Sequence, residues 1–327
     1  MSAPTTAGQA TSLSGDQRLT KSKRGPWRDA MRRLVKNKTA MFGLIIILMF
    51  TFVGIFGTAI APYDPLRQDL YSIATPPNSS HWLGTDELGR DMFSRILTGA
   101  RTAMLVATMV TFIAAGLGTI IGMISAYAGG WVDTVLMRFA DLLLAFPSFL
   151  LAAFINATLR PPYQNLMNQV SDATGISMFS GKAFVDYTLI FGALALVSWS
   201  GYARLIRGQV LSLREQEFVE AARSVGASTK IILFRHILPN SIAPIVVAVS
   251  VNFGNAILAE SSLSFLGVGI QPPTPSWGQM INANLDQWRY SPYLVLAPGA
   301  ALALLILAFN FFGDGVADAL NPRRTTK

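Results

Sequence analysis

Ser212-Leu-Arg-Glu-Gln-Glu-Phe-Val-Glu-Ala-Ala-Arg-Ser-Val-Gly-Ala-Ser-Thr-Lys230, continued by Ile231-Ile-Leu-Phe-Arg-His-Ile-Leu-Pro-Asn240, is a polar island of about thirty residues. Apolar runs flank it on both sides, each long enough to cross a bilayer. Ser212 and Glu215 stand three apart, as in a capping box, and predict a helix start. Phe218, Ala221, Ala222 and Val225 recur at helical spacing and share one face. Gly226 falls where a helix ends in a left-handed residue. Ser228 can cap a second short helix, which Pro239 is expected to stop. The pattern predicts helix, glycine turn, helix, laid on a membrane surface. Ala221 and Ala222 are small enough for another backbone to approach. An ordinary amphipathic loop helix fits the same pattern. A helix-turn-helix reading DNA also fits, but the flanking spans argue against it.

Charged residues make up 13% of the chain, against about 25% in soluble domains, while 51% are hydrophobic. An integral membrane protein follows. There is no cysteine, hence no disulfide framework and no thiolate-ligated metal. Residues 1–38 form the first region. Residues 1–20 are rich in Ser, Thr, Ala and Gly and are expected to be disordered. Lys21, Lys23, Arg24, Arg28, Arg32, Arg33, Lys36 and Lys38 then interleave with Trp27, Met31, Leu34 and Val35. This is either an amphipathic helix on an anionic lipid leaflet or a plain basic flank to the first span. It is not expected to be a signal peptide, because its basic part and the apolar run behind it are too long.

Six spans are expected, within a membrane domain over residues 39–320 and a tail over 321–327. They are Ala40–Ala61, Ala103–Tyr127, Leu142–Ala157 (kinked at Pro147, and starting as early as Val135 if the charges there face protein), Tyr187–Leu205, Ile242–Phe265 and Tyr293–Phe312. Gly116, Gly118 and Gly122 allow close packing in the second. A polar external loop is expected over 158–186, broken by Pro161-Pro162. Trp199 and Tyr202, with Arg204 and Arg207, read as an interfacial belt at an inner end, and Trp277 and Trp288 as outer anchors. Asn252, Asn255 and Glu260 lie at membrane depth, where polar groups are costly and face a polar interior or another helix. They are candidates for a translocation path. Between the first two spans, Thr85 can cap a helix carrying Met92, Phe93, Ile96 and Leu97. Asp86 and Asp91 near Arg90 and Arg95 read as charge pairs holding the loop against the span.

Glu220-Ala221-Ala222, Gly226 and Leu238-Pro239 resemble the EAA loop of ABC importer permeases. The family pattern has Ile ten residues after the glycine, where this chain has His236, with Ile237 one place later. Gly84-Thr85-Asp86, Leu88-Gly89-Arg90-Asp91, Ser94-Arg95 and Gly99-Ala100-Arg101 resemble the C-type subunit of dipeptide and oligopeptide permeases. The run from Glu260 through Trp277-Gly278 resembles the same subfamily. The resemblance covers roughly residues 40–324. It implies an all-α, six-helix type I permease of the cytoplasmic membrane, moving peptides by alternating access. In that family the Glu220–Gly226 helix couples to an ATPase, with Arg223 placed to pair with it. The partners implied are a second permease subunit, ABC ATPase subunits that bind ATP and Mg, and an external solute-binding protein. No cofactor or metal is implied for this chain, and membrane lipid surrounds it.

Charge placement gives an orientation independently. Arg67, Arg90, Arg95, Arg101, Arg160, Lys182 and Arg289 fall on one side of the six spans, and the rest of the 26 lysines and arginines on the other. The positive-inside rule puts both termini and the 212–240 stretch in the cytoplasm. The net charge of +8 is thereby explained without nucleic acid. The chain has no Gly-x-x-x-x-Gly-Lys-[Ser/Thr] phosphate loop, so ATP hydrolysis belongs elsewhere. A membrane enzyme fits poorly, because His81 and His236, the only histidines, fall on opposite faces. A nucleotide-independent channel or scaffold, and other cargo such as nickel complexes or glycosides, stay open.

Overall fold

A computed structural model describes residues 26–320, so the readings on 1–25 and 321–327 lie outside the described residues. Helix α1 (Pro26–Lys36) leads into α2 (Lys38–Ile60), which Asn37 caps through its side chain. A long connection reaches α3 (Met92–Ala128). Then come α4 (Gly130–Ala145), α5 (Ser148–Thr174), α6 (Lys182–Leu213) and the short α7 (Glu217–Ser224). Helix α8 (Thr229–Ile231), a π-helical turn (Ile232–Ile237) and α9 (Leu238–Phe265) run on as one rod. Helices α10 (Trp277–Ala283) and α11 (Tyr293–Leu320) complete the described chain. Among the described residues the only β pairing is the bridge between Thr85 and Asp91.

Five of these rods are long and apolar enough to span a membrane: α2, α3, α6, Thr229–Phe265 and α11. A sixth candidate is the pair α4 and α5, bent by 93°. The break falls at Phe146-Pro147, because proline disfavours helical backbone in the residue before it. Helix α2 shows how such rods pack. Ala40, Gly43, Ile46, Phe50, Gly54 and Gly57 are buried, while Phe42, Ile45, Leu48, Phe52 and Ile55 are exposed. An element apolar on every side needs lipid on the face that protein leaves open. Helices α3 and α6 form the most extensive pairing. Gly118 and Gly122 face Tyr202 and Ala203, and a Cβ on Gly122 would stand 2.5 Å from the Ala203 carbonyl oxygen. Gly116 faces open space instead.

The structure corrects several expectations. The 158–186 segment is mostly helix: α5 continues through Pro161 and Pro162 to Thr174. Each proline removes one helical N–H, but Ala157 and Thr158, whose carbonyls lose their partners, are exposed. Arg160 on α5 pairs with buried Asp186 on α6 at 2.8 Å and donates to the Gly269 carbonyl at 3.0 Å. Trp199 and Tyr202 are not a belt; both are buried between helices. Trp277 is likewise core, donating its indole N–H to the Ile96 carbonyl at 3.1 Å and meeting Phe50 edge-on. Arg207 makes a two-pronged contact with Asp133 at 2.6 Å, and Arg204 pairs with Asp141.

Candidate functional site

The first candidate site is α7. Ser212 and Glu215 do not cap it: α6 runs on to Leu213, and α7 starts after Gln216. Val210, together with Leu211 and Leu213, packs into the apolar cluster formed with Met123, Ala126 and Ile206, which holds α6 helical past the expected break. Val219 and Ala222 of α7 are buried in that cluster. Of the expected face, Ala222 alone is buried, and its buried neighbour is Val219, which the pattern left out. Phe218, Ala221 and Val225, at i, i+3 and i+7, are exposed, Val225 at 84%. Glu220 and Arg223 are exposed beside them. Gly226 has φ +79°, and the Ala227 N–H reaches back to the Ala222 carbonyl at 3.0 Å, a left-handed helix stop.

Pro239 does not stop the next helix. It sits in the first turn of α9, where a missing N–H costs least. Leu238 is half-buried against the same cluster. The π-helical turn before it carries one more residue per turn than an α-helix would. Ile237 is fully buried, whereas His236 is only half-buried and lies 6.5 Å from the Phe218 ring.

A second candidate site is the turn from Gly84 to Asp91. Thr85 bonds with Thr75 through both backbone and hydroxyl, and its hydroxyl donates to the Ser72 carbonyl. It does not cap a helix. Asp91 does, accepting from the Ser94 N–H at 2.8 Å while its other oxygen meets His81 Nδ1 at 2.9 Å. Asp86 accepts the N–H groups of Leu88 and Arg90 and the Arg90 Nε–H at 2.8 Å. Arg95 Nε lies 3.6 Å from the same carboxylate, and its guanidinium reaches the Pro65 carbonyl and Gln279 on α10. Gly89, at φ +69°, backs onto Asp69 so closely that no side chain fits. The Tyr71 N–H and the Ser72 hydroxyl hold the Asp69 carboxyl below the usual range.

At membrane depth, a cavity of about 1060 Å³ opens between α3, α6, α9 and the α4–α5 elbow. Asn252 and Asn255 line it, and Glu260 does not. Glu260 is buried behind it and accepts the hydroxyls of Ser264 and Ser276 at 2.8 Å and of Ser261 at 3.2 Å. These bonds tie the C-terminal end of α9 to the start of α10.

The family of binding-protein-dependent transport system inner membrane components matches residues 118–326. This chain belongs to that family. A second match, to the N-terminal transmembrane domain of oligopeptide transport permease C, covers residues 25–77 of this permease. A dipeptide transport system permease protein of Alkalihalophilus pseudofirmus is 40% identical over 298 residues, 91% of this chain and 90% of the relative. Glutathione transport system permease proteins are 38% identical. The Escherichia coli protein aligns over 92% of this chain and 91% of its own length, and that of Pectobacterium atrosepticum over 93% of each.

The permease is thus a multi-pass, all-α membrane subunit of an ABC importer. Among its described residues, no group of three or more metal-ligating side chains comes together. Sequence reasoning missed Thr111 and Tyr202, buried polar residues that line the cavity. Tyr202 was read as interfacial because an aromatic next to arginines has that pattern. Only its packing against Gly118 places it inside.

Proposed function

We propose that this chain is the peptide-conducting permease subunit of the importer, coupled to an ATPase through α7. The observation that carries the coupling is the exposed apolar face of α7. Val219 and Ala222 anchor the helix to α3 and α6, while Phe218, Ala221 and Val225 stay uncovered. Isolated apolar side chains at a surface are ordinary, but a row of three on a helix fixed by its opposite face suits a partner. Glu220 and Arg223 supply charges at its rim. Gly226 sets the turn, and Leu238 and Pro239 link it to the rod Thr229–Phe265. ATP and Mg bind the ATPase subunits. Closure of those subunits pushes α7, and α6 and α9 carry the motion to the path lined by Asn252 and Asn255.

The permease domain spans 39–320, pairs with a second, different permease subunit, and receives cargo from an external solute-binding protein. The outer turn of Gly84, Thr85, Asp86, Gly89, Arg90 and Asp91 is a rigid strut on that side. Both termini lie in the cytoplasm, on the side favoured by the basic residues. Peptide cargo is supported by the relatives, whose names specify dipeptide and glutathione transport.

Because the chain has no cysteine, a single Val225→Cys variant tests the coupling. In native membranes it should crosslink to an ATPase subunit, with a yield that changes when nucleotide is added. A thiol that reacts with a soluble maleimide yet gives no ATPase adduct would remove the coupling role from α7.

A further inference from the structure

Helix α1 has a surface that neither the coupling helix nor the outer turn uses. The extended backbone of Asn37 separates it from α2, and it packs against α11 and α2. Ala30 is buried, and Leu34 is half-buried with its Cδ1 beside Gly315 of α11. Ala40, in the first turn of α2, presses on the same glycine. Leu34 therefore stands level with the start of the α2 span, and α1 folds back beside the bundle. Beyond that packed strip the helix presents two parallel rows. Trp27, Met31 and Val35, each four residues after the last, are 54%, 61% and 57% exposed. Arg28, Arg32 and Lys36, each one place later, are exposed too. None of these three cations has an ion pair among the described residues. At 3.6 residues per turn, the apolar row lies between the packed strip and the cations. Asp29, the one acid in α1, is half-buried and belongs to neither row.

An apolar row edged by protein on one side and by cations on the other, at the depth where a span begins, matches the boundary between acyl chains and headgroups. Aromatic and aliphatic side chains settle there, and Arg and Lys reach from it to phosphate. The row also continues into lipid-facing surface, since Phe42 and Ile45 of α2 are exposed just past the junction. We infer that α1 is a docking surface for anionic phospholipid. Trp27, Met31 and Val35 enter the edge of the leaflet, and Arg28, Arg32 and Lys36 hold headgroup phosphates. Charge separates this face from a protein contact. The exposed row of α7 is rimmed by both signs, Glu220 and Arg223, whereas that of α1 is edged by one sign alone. A layer of like negative charge is what an anionic leaflet offers, and each basic group near it adds about fivefold to the affinity. The inference needs only that α2 crosses the membrane, and it stands apart from peptide cargo and from coupling through α7.

The test uses the complete transporter in nanodiscs of equal parts phosphatidylglycerol and phosphatidylcholine. Met31→Cys is labelled with a maleimide-linked benzophenone and irradiated, and the permease is weighed by mass spectrometry. The chain has no other cysteine, so every adduct on it comes from that position. Phospholipid adducts are expected, with phosphatidylglycerol favoured about fivefold or more. Adding Arg28→Gln, Arg32→Gln and Lys36→Gln should keep the lipid adducts and bring the two lipids close to equal yield. Those three side chains are exposed, so the packing of Ala30 and Leu34 is untouched. An adduct to an ATPase or to the second permease subunit in place of lipid would mean that protein covers the face, and the inference is overturned. An irradiated permease without lipid adducts would overturn it as well. So would equal yields of the two lipids before the cations are removed, or a preference for phosphatidylglycerol that survives their removal.

Discussion

Asp86 is 2% exposed and serves two arginines that are themselves buried, Arg90 and Arg95. Removing the one carboxylate leaves both cations without it, and breaking a buried pair costs about 3–5 kcal/mol. Asp86→Ala should therefore lower the thermal midpoint of the purified transporter far more than Asp91→Ser. The latter keeps a helix cap on α3 and loses only the single contact to His81, so it should cost about 1–2 kcal/mol. Equal shifts would show that Asp86 is not the centre of the outer turn. The sequence made these charges visible as pairs, but not their burial, which comes from the closing of Ser72, Thr75 and Asp69 around them. Gly226 presents the opposite case. A Cβ there meets nothing, so only its φ of +79° constrains it. An ordinary residue pays about 1–2 kcal/mol in that region, and Asn less. Gly226→Asn should retain ATP-driven uptake, and Gly226→Val should lose it while the protein still inserts. Similar uptake by both variants would detach the turn from coupling.

Among elements, those with a long apolar run are legible in the sequence, and those whose limits depend on a neighbour are not. The five long rods follow from their composition. The end of α6 does not, because Leu211 and Leu213 extend it by packing against the cluster that Met123 and Ala126 of α3 and Val219 of α7 share. The start of α7 moved with it, and a plausible capping box stayed unused. Helix α5 was hidden for a different reason: a Pro-Pro pair in a polar stretch reads as loop until exposed carbonyls are seen to tolerate it. What fixes α5 to α6 is Arg160 against Asp186, the latter 2% exposed. Arg160→Met strands a buried carboxylate and should destabilise the transporter by about 3–5 kcal/mol. Replacing both partners, Arg160→Met with Asp186→Leu, removes the stranded charge and should recover much of that loss. Thermal unfolding in lipid nanodiscs reads the difference. A double variant as unstable as the two single losses added together would mean the pair does not act as a unit.

For the molecule as a whole, orientation is a question of electrostatics that helix packing leaves unanswered. A bundle of apolar rods packs the same way whichever end faces the cytoplasm. Basic residues flanking the spans break that symmetry, since translocating them is disfavoured. The chain puts Arg204, Arg207, Arg214 and Arg223 at the same end as the α3–α4 turn, where Arg207 holds Asp133 and Arg214 donates to the Ala126 carbonyl. The turn at Gly129 and the connection before α3 must then lie on opposite sides, separated by the length of α3. Trp131 is 76% exposed just after the one, and Ser79 is exposed in the other. With no native cysteine to interfere, Ser79→Cys should react with a membrane-impermeant maleimide in intact cells with the outer barrier opened. Trp131→Cys should react only once the cytoplasmic membrane is permeabilised. The reverse pattern would put α7 outside, where no ATP-driven subunit could reach it, and the coupling role would fall with the orientation. Labelling of both in intact cells would mean that α3 does not cross the membrane, against its 37 residues of helix.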